Sequence, residues 1–316
     1  MAVEVQLVPV NLATIALESC FYGCFLVLAI TSMCLLVGRR ANWLSPTFLS
    51  AIGIFITVTA HWILTVDRSF QAFVFFENGT FPTAFYGDLS QITEVGKTAF
   101  LITTVAMGDA IIIHRLWIIW DRRLTIVLFP VLNFLGLIVS GVGITYQFTK
   151  YKTGQNVFQS DTSRWITSNA VFTLCINIYS TVFISWRMWQ VGSVIQPIGR
   201  NRIHSVLGTI VESAAIYTIW TIFFFATYLS ESNIQFITVD CVPAITGIAC
   251  MLIHVRIGLG WAHEGSQAGL SISQSLPPAL TRTIVTIAQH IHTATESPVG
   301  FELEKLRLER EGKDTV

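Results

Sequence analysis

Residues 94–123, EVGKTAFLITTVAMGDAIIIHRLWIIWDRR, combine a long apolar run with ionisable side chains inside it. From Thr98 to Trp120 the stretch is apolar and long enough to cross a bilayer, which takes about 20 helical residues. It nonetheless carries Asp109, His114 and Arg115 before closing on Asp121, Arg122 and Arg123. An ionisable side chain is costly in hydrocarbon, so such groups turn toward other helices or a cavity and find partners there. This span therefore belongs inside a bundle of others, which makes the chain a polytopic helical membrane protein with the lipid bilayer as its first partner.

Composition agrees. Of 316 residues, 53% are hydrophobic and 12% are charged, about half the charged fraction of a soluble domain. Mean hydropathy is +0.62. The 19 basic residues balance the 19 acidic ones, so no basic surface recommends a nucleic-acid partner. The cysteines (Cys20, Cys24, Cys34, Cys175, Cys241 and Cys250) all fall in apolar stretches, where they read as small packing residues and not as a disulfide framework for loops.

Apolar runs place span 1 at residues 13–38, closed by Arg39 and Arg40, and span 2 at 45–66, containing His61. Span 1 suits a first span better than a cleaved signal peptide, because no basic region precedes it. Span 3 is the opening stretch, span 4 covers 124–148, span 5 covers 165–189, span 6 covers 205–229 and span 7 covers 236–259. The predicted fold is all-α: a seven-transmembrane helix bundle over residues 13–260, with a short amino-terminal segment 1–12 and a largely disordered tail 261–316 rich in Ser and Thr. Within the tail, residues 302–310 could form a short surface helix. The longest connection, residues 67–90, carries many Phe and Tyr side chains and should fold onto the bundle or into the interface. In span 4, Gly136 and Ser140 stand four apart, which permits close approach of a neighbouring helix.

Charge sets the expected orientation. With the amino terminus outside, all 19 basic residues except Arg68, Lys97, Lys150, Lys152 and Arg164 fall on the inner side, and the positive-inside rule then puts the carboxyl terminus in the cytoplasm. The sequon Asn78-Gly79-Thr80 lies in a loop this topology places outside, making Asn78 a candidate glycosylation site.

Helical spacing gathers polar residues onto faces. Asn169, Thr173, Asn177 and Ser180 form a stripe in span 5, and Ser205, Thr209 and Glu212 form one in span 6. Both are expected to look inward. Depth along the spans sorts the charged groups into two layers. The outer one, Glu18, Asn169 and Asp240 with Glu94 and Lys97 at its rim, is the candidate ligand pocket. The inner one, Asp109, His114, Arg115, Asn177, Glu212, His254 and Arg256, is the candidate switch, since charge pairings across helices can be exchanged when helices shift. Permanent mutual satisfaction that only fixes the packing is the alternative for both layers.

The strings ESCFYG and LLVGRR in span 1, GDAIIIHRLWIIWDRR in span 3, SWRMW closing span 5, VESAAIY in span 6 and SNIQFITVDCVPAITGIACMLIHVRIGLG through span 7 resemble a large uncharacterised family of seven-span proteins of mushroom-forming basidiomycete fungi. The resemblance covers nearly all of residues 13–260. It implies a receptor-like, plasma-membrane-type protein with a polar signature at Glu18, Asp109, Arg115, Glu212, Asp240 and Arg256, and it implies no particular ligand.

The expected function is that of a receptor-like membrane protein of G-protein-coupled architecture, with a cytoplasmic G protein or other transducer as partner at Asp121, Arg122 and Arg123. Two signatures of the rhodopsin-like receptors are missing: a cysteine at the outer end of span 3, and a proline in the inner half of span 7, where Pro243 lies in the outer half. A small-solute or ion transporter or channel is the alternative, with Asp109, Asn177, Glu212 and Asp240 as a relay, although no internal repeat supports it. No catalytic constellation is legible, so no enzyme is expected. His61 and His254 fall toward opposite membrane faces, and His114 with His254 lacks the third ligand a zinc site needs. Span 7 has no lysine for a retinal Schiff base, and no cofactor is expected.

Overall fold

The computed structural model describes residues 6–37, 46–151, 161–194 and 197–275, without the side chains of residues 161, 191–194, 197–210 and 257–275. Arg39 and Arg40, the side chains of Arg200, Arg202, His204, Ser205 and Thr209, and residues 276–316, where a short helix at 302–310 is expected, lie outside the described residues. The chain divides into two units, residues 1–259 and 260–316. The first is the bundle. Of the second, the described part, residues 260–275, is helical.

Among the described residues eight α-helices follow one another: α1 (Leu7–Val37), α2 (Pro46–Phe70), α3 (Pro82–Gly87), α4 (Ile92–Ile119), α5 (Leu124–Thr149), α6 (Asp161–Val194), α7 (Pro197–Leu229) and α8 (Gln235–Ser275). All but the short α3 are long and apolar enough to cross a membrane, and no strand occurs among the described residues. A helix satisfies its own backbone amides and carbonyls, which is what hydrocarbon requires of a spanning segment. The chain is therefore an integral membrane protein, with seven candidate spanning helices among the described residues.

Several helices exceed the apolar runs that signal them. α1 begins at Leu7, not at residue 13, because Pro9 falls in its first turn, where a missing N–H leaves no bond unmade. α2 runs on to Phe70 and continues through a π turn, Gln71–Phe75, and a 3-10 turn, Phe76–Gly79, before α3. Much of the expected loop is thus helical. Its aromatic residues divide: Phe85 and Tyr86 are buried, with Phe73, Phe76 and Leu7 against them, whereas Phe70, Phe75 and Phe81 are exposed. Burial pushes the Tyr86 phenol above its ordinary range.

Lipid tails are as apolar as leucine, so contact quality rather than water exclusion holds such helices together. α5 and α6 meet through glycines: a Cβ on Gly136 would stand 2.8 Å from the Phe172 ring, and one on Gly143 would stand 2.6 Å from Trp165. Asn169 of α6 adds bonds to Leu137 O at 3.1 Å and Ser140 Oγ at 3.0 Å of α5. The small residues four apart therefore serve packing within the chain. α8 is the most enclosed helix. Of an 18-residue stretch within its span Gln235–Arg256, 72% is buried, against 33% or less for the like stretch of every other span, which places it among the others and not on the lipid-facing rim. Gly247 lets the Phe25 ring of α1 lie against α8, since a Cβ there would stand 2.7 Å from it.

α4 and α5 are joined by a tight reversal in which Asp121 and Arg122 take left-handed backbone angles, φ 52° and 60°. The Arg122 amide donates back to Trp117 O at 2.9 Å, and its guanidinium lies 5.5 Å from the Trp117 ring centre. Asp121, Arg122 and Arg123 are all exposed.

Candidate functional site

Toward the end of the bundle that carries the α2–α4 connection, charged side chains form a chain of ion pairs across three helices. Arg68 of α2 binds Glu94 Oε2 of α4 through Nε at 2.9 Å, and its Nη1 donates to Gln91 Oε1 at 3.1 Å and Thr93 Oγ1 at 2.9 Å. Lys97, one turn further along α4, reaches Glu94 at 3.4 Å and Asp240 Oδ2 of α8 at 2.9 Å. Phe85 roofs the Arg68 guanidinium at 5.1 Å. Beside this chain, Glu18 Oε1 of α1 pairs with His61 Nδ1 of α2 at 2.8 Å, both side chains being fully buried. Buried charges are tolerated when paired and hydrogen-bonded, and acids and bases alternate here so that each cation touches an acid.

Helix α2 brings Arg68 into this network because the helix does not stop at residue 66. The apolar runs place Arg68 in the connection 67–90, outside the spans; in the fold it is buried on α2. The signal was present in the spacing, because His61, Thr65 and Arg68 stand four and three apart and are all buried.

Below the ion pairs lies a cavity of about 120 Å³. Its wall is largely apolar, with Leu101, Val105, Ile144, Phe148, Ile166 and Phe224. His61, Lys97 and Asp240 border it at one end, and Thr173 and Tyr217 border it as well. Of the three candidate ligand residues, Asn169 and Asp240 line the cavity, and Glu18 stands behind His61.

Thr173 and Tyr217 connect the cavity to Asp109. Thr173 Oγ1 donates to Asp109 Oδ2 at 2.6 Å, Asn177 Nδ2 donates to Asp109 Oδ1 at 2.8 Å, and the Tyr217 hydroxyl lies 2.9 Å from Thr173 Oγ1. Helices α4, α6 and α7 each supply part of this cluster, and every member is at least 95% buried. No base lies within ion-pairing distance of Asp109 among the described residues, so neutral donors hold it. On the far side of the cluster a second cavity of about 40 Å³ is lined by Asp109, Asn177, Tyr217, Arg115 and Cys250. Arg115 Nη1 and both His254 ring nitrogens are buried without a partner among the described residues.

The predicted switch layer is thus assembled in part. Asp109 and Asn177 touch, and Arg115 borders the same small cavity. His114 is half-buried with its ring 6.2 Å from Trp117, outside the cluster. Glu212 and Arg256 are exposed, contrary to the inward placement expected of them. For Glu212 the reason is helical phase. The buried face of α7 is Ser213, Tyr217, Thr221, Phe224 and Tyr228, one residue on from the expected stripe, and one residue is about 100° of rotation. Arg256 lies at the end of the candidate span, Gln235–Arg256, where the side chain can leave the bundle. The α6 stripe holds: Thr173, Asn177 and Ser180 are buried. Tyr217 was missed because a tyrosine in an apolar run carries no polar flag, although it follows Ser213 by one helical turn.

Asn78 is exposed, in a turn where Glu77 and Asn78 have φ of 44° and 54° and the Thr80 hydroxyl donates to Glu77 O. Among the described residues no group of three His, Cys, Asp or Glu side chains could hold a metal ion. Comparisons of the chain with protein-family models, curated proteins and solved structures find no match in any of the three.

Proposed function

We propose that this chain is a receptor-like membrane protein of the G-protein-coupled architecture, of the basidiomycete seven-span kind its strings resemble. In this reading it lies in the plasma membrane with the amino terminus and the Asn78 sequon outside, takes a small ligand in the 120 Å³ cavity, and signals to a G protein or other transducer through the opposite end. One observation carries it: Tyr217 borders both cavities and bonds, through Thr173, to the Asp109–Asn177 pair between them. A ligand that shifts Tyr217 alters the donors around Asp109 and, on the far side, the space open to Arg115. Two buried arrangements of that cluster would be a two-state element that both ends bias. Chemistry on a substrate has no support from these groups, and no enzymatic role or cofactor is proposed.

A small-solute transporter is the second reading, carried by the stacking of two cavities along the bundle. Exposed Glu212 drops out of the relay that reading needs. Nucleotide exchange on host G protein, measured with vesicles bearing the wild-type chain and the Asp109→Asn variant, separates the two. Exchange that depends on the chain and changes in the variant supports the receptor; solute uptake without any exchange favours the transporter.

A further inference from the structure

The ion pairs above the larger cavity restrict what it can hold. Arg68 is engaged by Glu94, Gln91 and Thr93, and Lys97 lies between Glu94 and Asp240. Each of these fixed charges already has an opposite charge within ion-pairing distance. A charged ligand entering the cavity would lose its hydration and find no unclaimed counter-ion, a loss that only a new pair could offset. Glu18 is the remaining acid, and it is screened from the cavity by the His61 ring on its Oε1.

Polar capacity nonetheless remains at that end. The Lys97 ammonium has three hydrogens and two acid partners, which leaves one donor. His61 Nε2 is buried with no partner among the described residues, and its ring borders the cavity. Most of the rest of the wall is aliphatic and aromatic, with neutral polar side chains at Thr98, Asn169, Thr173, Thr221 and Gln235. A volume of about 120 Å³ is close to the roughly 150 Å³ of an engineered apolar cavity that holds benzene.

Resting on the receptor reading above, we propose that the ligand is a small uncharged molecule, mostly hydrocarbon and of about benzene's size, with a single hydroxyl or carbonyl directed at Lys97 and His61. A hydroxyl meets either tautomer of His61, because it can accept or donate; a carbonyl accepts from Lys97. The hydrocarbon part lies toward Leu101, Val105 and Phe148.

The test uses the purified full chain in detergent and four probes of one shape: benzyl alcohol, toluene, benzylamine and benzoate. Binding is read by saturation-transfer NMR and by the shift in thermal unfolding. Benzyl alcohol is expected to bind, toluene to bind about fivefold to tenfold more weakly for want of one hydrogen bond, and the two ions to bind at least about a hundredfold more weakly. The substitution His61→Phe should bring benzyl alcohol and toluene to within about twofold of each other. Should that variant fail to fold, Ala170→Leu, which fills the cavity from α6 and leaves His61 and Lys97 alone, should weaken both neutral probes together. Benzylamine or benzoate binding best, or neutral binding that Ala170→Leu leaves intact, overturns the proposal. Benzyl alcohol binding as expected but without effect on G-protein nucleotide exchange keeps the ligand class and sinks the receptor reading.

Discussion

Lys97 and Asp240, 143 positions apart in the chain, meet at 2.9 Å inside the bundle and tie α4 to α8. Both side chains are under one-tenth exposed. The contact closes a path from α2 through Arg68 and Glu94 to the most enclosed helix, and it forms the polar end of the larger cavity.

Removing one member of that path should be worse than removing two. Lys97→Met leaves Glu94 sharing only Arg68 and Asp240 with no cation, and breaking a buried pair from one side costs about 3–5 kcal/mol. The double variant Lys97→Met with Asp240→Leu should recover much of the loss. Thermal unfolding in detergent measures both. Additive losses would mean that the two residues do not interact.

Asp109 is held by donors and not by a cation, so its substitutions should rank by how they leave those donors. Asp109→Ala leaves the Thr173 hydroxyl with Tyr217 alone and one Asn177 amide hydrogen without an acceptor, at about 1–3 kcal/mol for a buried group left unsatisfied. Asp109→Asn keeps one acceptor and should be roughly half as damaging to stability, while still altering coupling between the two cavities. Equal stability of the Ala variant and wild type, read by unfolding, would place these bonds elsewhere.

Glycines separate into those that touch and those that do not. Gly247→Ala brings a methyl 2.7 Å from the Phe25 ring and should destabilise by about 1–3 kcal/mol. Gly23→Ala meets nothing within 4 Å and should be neutral or gain up to about 1 kcal/mol from helix propensity. Unfolding temperatures in that order support the packing of α1 on α8, and the reverse order contradicts it.

Glu212 should be dispensable. It is exposed on α7, so Glu212→Gln should change stability by no more than about 0.5 kcal/mol. A large loss of stability would show that the residue turns inward after all.

Seven helices were legible because an apolar run of sufficient length has few alternatives, and Asp109 within one of them implied neighbours. The α6 stripe was legible for the same periodic reason. What the sequence hid was phase and extent. One residue of register separates Glu212 from the buried Ser213, and no polar pattern distinguishes them. Apolar runs mark where lipid is, not where helix ends, so α2 was cut short at residue 66 and Arg68 was lost from the network it belongs to. Glu18 and His61 were each visible, but 43 positions of chain separate them and only the fold pairs them.

An odd number of helices crossing the membrane around this paired polar interior puts the two ends of the chain on opposite sides. Protease protection in sealed, right-side-out vesicles tests it directly, using one tag at each end and Asn78→Gln as a glycan control. The expected result is an accessible amino-terminal tag, a protected carboxyl-terminal tag and a glycosidase-sensitive mobility that the Asn78→Gln variant lacks. Both tags cleaved, or both protected, would mean an even number of crossings and contradict it.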